Sequence, residues 1–460
     1  MTETNSKPAA EERPVTQRDL AAIWWPLAAS WLMMGLELPA VSAVMARLPE
    51  PNVHLAAYGG VVFPISLVIE APIIMLLAAS TALSRDMESY LRLRRFMIRA
   101  ALTLGAVHLL VSATPLYSIV VDRLLGVPEE IRRPARIGML ILTPWTPMIA
   151  YRRFQQGLLI RFGRSRAVGI GTGIRLLTNV VVLAAGYWAR SLPGIAVGTL
   201  AVVAGVTTEA IYAGIVSRGV VRGPLAEAVP AADPLTLRRF VRFYIPLAIT
   251  PLFTMLALPI VSAAMSRMPR AIDSLAVWPV LNGLVFTLRS VGFAFNEVVV
   301  VALDRPGARK ALLDFTFLLA GAVTLGLFLV TATPLGRFWF ASVSALDASL
   351  VGLAESALWI ALLMPAFSVL HSFFQGRLVH AHRTRAITEA MALYLALTSL
   401  VLWVGVRNGT VTGLQFGLAA VLIGNAAHAF WLWVRCRHIG KSSAGIGSSL
   451  FRTIRRTVSI

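Results

Sequence analysis

The sequence predicts an all-α polytopic membrane protein with twelve transmembrane helices in two pseudo-symmetric six-helix lobes. Three observations predict it. The 460 residues are 57% hydrophobic and 14% charged, against roughly 25% charged in soluble domains. Apolar runs of about 20 residues or more, long enough to cross the roughly 30 Å hydrocarbon layer, recur along the whole chain. Finally, the phrase Leu38-Pro-Ala-Val-Ser-Ala-Val-Met-Ala-Arg-Leu-Pro49 returns as Leu258-Pro-Ile-Val-Ser-Ala-Ala-Met-Ser-Arg-Met-Pro269, 220 residues on, as an internal duplication places it.

Taken in order, residues 1–22 are polar, with Pro8, Pro14 and mixed charges, and lack the apolar core of a cleavable signal, so a short cytoplasmic tail is expected. The first lobe is read as 23–218, with spans near 20–47, 55–83, 96–121, 136–161, 166–190 and 193–217. Residues 219–235 hold Gly, Pro, Ala, Glu227 and Asp233 and read as a cytoplasmic linker. The second lobe is read as 236–437, with spans near 239–267, 274–302, 309–334, 350–380, 384–406 and 411–436, and 438–460 as a basic cytoplasmic tail. Alternate loops collect Arg, among them Arg92, Arg94, Arg95, Arg161, Arg164, Arg218, Arg222, Arg239 and Arg383. This places both termini in the cytoplasm of a bacterial-type plasma (inner) membrane. The net charge of +20 is thus a topological signature, not a nucleic-acid footprint.

The duplication extends beyond the phrase. Ala113-Thr-Pro-Leu116 recurs as Ala332-Thr-Pro-Leu335, and Gln156-Gly157 as Gln375-Gly376, 219 residues on. Six helices per half keep both copies in one membrane orientation. Parallel repeats of this kind build two-lobed transporters with the substrate site between the lobes near the midplane. Pro39 and Pro259 are each expected to bend the first helix of a lobe, because a proline frees a backbone carbonyl.

Trp24-Trp25-Pro26-Leu27-Ala28, Pro259-Ile260-Val261 with Ser266-Arg267, and the segment from Trp145 to Asn179 resemble the progressive ankylosis (ANK) family. That family lies within the superfamily of multidrug and toxin extrusion (MATE) proteins and polysaccharide and lipid flippases (MOP). The resemblance implies a MATE-like fold whose lobes rock to alternate access, with the first, second, seventh and eighth helices lining the cleft. It also implies export of a small anion such as pyrophosphate, citrate or nucleotide. The chain departs from the family where animal members carry an Arg before the proline of the second phrase and this sequence has Leu258.

Ionisable side chains at membrane depth are costly unless paired or wet, so each is a functional candidate. Glu37 precedes the first phrase, where its repeat mate is Ala257. A carboxylate in one lobe only fits a proton or sodium coupling site, since burial disfavours its charged form. A structural ion pair is the plainer reading. Glu70 shares a helix face with Ser66, and a Glu70 to Arg289 attraction across the cleft is a second expectation. Asn282, Arg289 and Asn296 are seven apart and form one stripe. An Arg between two amides suits a carboxylate or phosphate.

Arg152 and Gln156 are four apart, and so are their mates His371 and Gln375. Arg175 and Asn179 continue this polar wall. Snorkelling of Arg152 toward the interface would explain it without a ligand. Glu209, Asn425 and His428 sit in the last helix of each lobe and read as structural.

No enzyme is indicated. Gly169-x-Gly171-x-Gly173 follows no strand and is ordinary membrane-helix spacing. No Gly-x-x-x-x-Gly-Lys-Ser/Thr loop is present, His380 and His382 lack carboxylates at metal spacing, and Cys436 is the single cysteine. No cofactor is expected. Function therefore reads as a monomeric secondary exporter of a small organic or phosphorylated anion, with a proton or sodium as coupling ion. The alternatives are a flippase for a lipid-linked anionic precursor and a drug antiporter.

Overall fold

A computed structural model describes residues 14–229, 235–381 and 383–457, with the side chains of 237, 246, 250 and 438–457 excepted. Most of the N-terminal tail, the linker residues around Asp233, and His382 lie outside the described residues. Every regular element is a helix among the described residues. They are α1 (Gln17–Met45), α2 (Pro51–Leu83), α3 (Met87–Ala113), α4 in two pieces (Glu129–Ile141 and Trp145–Arg161), α5 (Ser165–Ala189), α6 (Gly194–Arg222), α7 (Leu237–Met265), α8 (Ala271–Ala302), α9 (Ala308–Ala332), α10 (Ala348–His380), α11 (Arg385–Asn408) and α12 (Gly413–Thr457).

Eleven of these helices are long and apolar enough to span a membrane among the described residues. The twelfth expected span, 136–161, falls short for two physical reasons. Pro144 follows Thr143 where the helix breaks, and a residue before proline is pushed out of helical conformation. Its second piece then carries Arg152, Arg153, Gln155, Gln156 and Arg161. The least apolar helix is the one that carries Arg152 and Gln156 of the first half's candidate site.

Local signals start the helices where expected. Thr16 and Asp19 form a reciprocal capping box before α1, and the Asp86 carboxylate accepts from the Ser89 amide at 2.8 Å to start α3. α1 is interrupted at Leu36, one turn before Pro39, whose ring crowds the carbonyl four residues back. The bend expected twice appears as an interruption once, because α7 runs unbroken through Pro259.

α1 and α7 also cross between halves. The first piece of α1 packs on α8 and α9, with Trp24 Nε1 donating to the Val291 carbonyl at 3.0 Å and Gln17 to that of Ala311 at 2.9 Å. The second piece, from Glu37, keeps its contact with α8 and adds contacts to α5 and α6 of its own half. α7 mirrors this, since Tyr244 donates to the Pro72 carbonyl of α2 at 2.6 Å and Phe240 meets Phe96 of α3. Glu37 therefore sits where α1, still against α8, first reaches α5 and α6.

On the face opposite the basic loops, the arginines of the duplicated phrase act as a reciprocal latch. Arg47 donates to the carbonyls of Ser342 and Val343 at 2.6 and 2.9 Å. Arg267 donates to those of Leu125 and Leu124 at 2.7 and 2.8 Å. Each cation bonds to the other half's loop and so joins the two halves at this face.

Candidate functional site

Two polar nests occupy equivalent places in the two halves, one inside α1, α2, α4, α5 and α6 and one inside α8, α10, α11 and α12. In the first, α6 presents Glu209, only 1% exposed, which accepts from Arg152 at 2.5 Å and from Gln156 Nε2 at 2.9 Å. Arg175 of α5 lies 3.8 Å from the same carboxylate and pairs with Glu37, to which Asn179 Nδ2 donates at 2.8 Å. Gly205 of α6 makes room for this, because a Cβ there would stand 1.9 Å from Asn179 Oδ1. Glu70 of α2 lies within the fields of Arg152, Arg153 and Arg175, and its buried Oε2 has no hydrogen-bond partner.

The first nest thus holds three guanidinium groups (Arg152, Arg153, Arg175) and three carboxyl groups (Glu37, Glu70, Glu209). Buried ions are tolerated when each meets an opposite charge and extra hydrogen bonds, and stranding one partner is expensive. Arg152 turns inward to Glu209 instead of snorkelling outward. Glu209, read as structural from its outer helix, is the acceptor on which the nest converges.

The second nest is built differently at the same positions. His371 replaces Arg152, Tyr394 replaces Arg175, Thr398 replaces Asn179 and His428 replaces Glu209, each 219 residues on. The His371 and His428 rings stack with centroids 4.2 Å apart, and His371 Nε2 lies 3.0 Å from the Asn425 carbonyl. The Arg289 charge acts on Tyr394, His371 and His428, and its buried Nε has no partner. No ion pair reaches Arg289 among the described residues.

The expected Glu70 to Arg289 attraction is therefore replaced by two separate arrangements, each within its own half. The Asn282, Arg289, Asn296 stripe is cut at Ala294, where α8 is interrupted, and Asn296 Nδ2 donates to the Ser372 carbonyl at 3.3 Å. Asn282 stays beside Gly283, which packs on Pro39 of α1. Gln375 is half-buried and does not join His371 among the described residues. Tyr394 and Thr398 escaped sequence reasoning, although carrying the 219-residue offset from Arg175 and Asn179 finds both.

No protein-family model matches the chain, and no curated protein matches it. Solved structures do. One is the inward-facing conformation of a multidrug resistance MATE family transporter of the MOP superfamily, 15% identical over 92% of this chain and 99% of that one, with a TM-score of 0.71. Another is the lipid II flippase MurJ in its inward closed conformation, 12% identical over 90% and 87%, with a TM-score of 0.66. A third is a MOP superfamily transporter from Pyrococcus furiosus for which a reverse polarity of the binding pocket suggests a different function, 15% identical over 93% and 98%, with a TM-score of 0.57. The chain has the helical fold of MATE and MOP superfamily transporters.

Proposed function

We propose that this chain is a secondary active transporter that exports a small organic or phosphorylated anion, its two halves rocking about the crossings of α1 and α7. The observation that carries the reading is the second nest, where half-buried Arg289, its Nε buried without a partner, lies with two histidines and a tyrosine and forms no ion pair with a carboxylate among the described residues. A buried guanidinium without an anion is unfavourable, and a carboxylate or phosphate supplies bidentate acceptors. His371 stands beside that position as a hydrogen-bonding group, and Asn282, Asn296 and Gln375 are kept as candidates on their sequence spacing. The first nest, with Arg152, Gln156, Arg175 and Asn179, is internally neutralised, which suits coupling better than cargo.

Within it Glu70 and Glu37 are the coupling candidates. Glu37 is engaged by Arg175 and Asn179, whereas Glu70 keeps a free buried oxygen able to take and release a proton. The latch of Arg47 and Arg267 is what must open for release to the far side. The orientation is the one the loop arginines favour, basic face in the cytoplasm of a bacterial-type plasma membrane. The chain would act as a monomer of the ANK branch, with the duplicated phrase as support for that finer placement.

The test is uptake of labelled citrate, labelled pyrophosphate, a lipid-linked pyrophosphate and a cationic dye by inverted vesicles containing the wild-type chain. The reading expects saturable flux of a small anion. Dye flux without anion flux overturns it in favour of drug antiport, and movement of the lipid-linked compound alone overturns it in favour of a flippase.

A further inference from the structure

A cavity of about 250 Å³ opens on the basic face inside the first half, between α3, the second piece of α4, and the end of α6. Its floor is polar, formed by Tyr151, Gln155 and Ser217, and its rim is Arg94, Arg218 and Arg222. Gln155 is 4% exposed and its buried Oε1 has no hydrogen-bond partner. None of the three rim arginines is in an ion pair among the described residues. Gly214 keeps the cavity open, since a Cβ there would stand 2.3 Å from the Tyr151 hydroxyl.

The duplication supplies an internal control. At the equivalent place in the second half, Tyr151 becomes Leu370, Gln155 becomes Phe374, Gly214 becomes Trp433 and Ser217 becomes Cys436. That place is filled. Cys436 Sγ lies 3.5 Å from the Phe374 carbonyl, Phe374 packs in a small apolar core with Leu378 and Leu432, and Arg437 stacks on Trp433 at 3.9 Å. Arg437 is the mate of Arg218. The same arginine is thus satisfied by a tryptophan in one half and left at the mouth of a polar hole in the other. Positive-inside topology explains an arginine at both places, but not the cavity or the buried orphan acceptor beneath only one of them.

We propose that this cavity binds a phosphate ester, with the rim guanidinium groups on the phosphate oxygens and Gln155 and Tyr151 on a hydroxyl attached to it. Basic pockets between helices at the cytoplasmic surface suit lipid headgroups, and a soluble phosphate offers the same chemistry. The site is separate from both nests, so it does not depend on what the transporter carries.

The test uses the full chain purified in a neutral detergent, with binding of phosphatidylglycerol, phosphatidylcholine and glycerol phosphate measured separately. Wild-type chain is expected to bind phosphatidylglycerol over phosphatidylcholine. Arg218→Gln with Arg222→Gln is expected to weaken it at least tenfold, and Gln155→Phe, which imports the second half's residue, to weaken it similarly. Arg309→Gln with Lys310→Gln, the same charge change on exposed residues of the same face, is expected to leave it unchanged. Glycerol phosphate binding with the same dependence assigns the site to a soluble ligand. No binding of either phosphate, or equal loss in the control pair, overturns the proposal. If Gln155→Phe fails to fold, the exposed arginine pair still decides.

Discussion

The two nests occupy matching positions on matching helices, yet one is balanced and the other is not. In the first half, Glu37, Glu70 and Glu209 face Arg152, Arg153 and Arg175. In the second, Arg289 stands with His371, His428 and Tyr394 and with no acid among the described residues. Duplication would have begun with like interiors. On the proposed function, their divergence gives different work to each, a self-contained proton or ion relay on one side and an anion receptor on the other. What separates the two interiors is thus not the number of intramembrane charges but whether each already meets an opposite one.

Breaking the balanced nest should have the largest effect. Glu209→Ala strands Arg152 and weakens its hold on Gln156 and Arg175, at a cost of about 3–5 kcal/mol. Thermal unfolding in detergent should show a fall of that size, with Arg152→Met partly restoring it in the double variant. If Glu209→Ala melts like wild type, the pair is not what holds α4 to α6. Next in size, Arg289→Ala should leave the melting profile near wild type but weaken anion binding by about 1.5–3 kcal/mol, the usual worth of a charge-assisted hydrogen bond. That is roughly tenfold or more in apparent affinity.

Glu70→Gln should separate coupling from movement. Anion exchange across equal pH should persist, while uptake driven by a pH gradient should fall to the exchange level. Retention of gradient-driven uptake would remove Glu70 from the relay. The smallest effect is expected at the latch. Arg47→Ala with Arg267→Ala removes donors to five carbonyls of the opposite half at this face. A cysteine at Ser262, in a Cys436→Ser background, should then react about tenfold faster with an impermeant thiol reagent from that side, a modest population shift.

Much of the fold was legible in the sequence because its signals are periodic. Long apolar runs, the 220-residue spacing of the Leu-Pro phrase and the alternation of loop arginines need no tertiary knowledge. The nests were legible only in part. Arg152 and Gln156 announce themselves as neighbours one turn apart, but Glu37 and Arg175 lie 138 residues apart, and no spacing rule says which way either side chain points. The same limit produced the Glu70 to Arg289 expectation, which joined two unpaired charges across a cleft when each had nearer company. The Asn282 to Asn296 stripe assumed a continuous helix, and the interruption at Ala294 ended its register. The fourth span was the reverse case, where polarity that obscured a membrane helix was itself the mark of the site.

If the second nest receives the anion because it lacks an acid among the described residues, giving it the acid its partner has should stop transport. His428→Glu installs at α12 the residue that Glu209 provides at the equivalent place in α6. Anion flux should be measured in proteoliposomes, alongside melting of the same protein. The expected result is a folded chain in which Arg289 is neutralised and saturable anion flux is lost. A folded His428→Glu chain that carries the anion at the wild-type rate would contradict it.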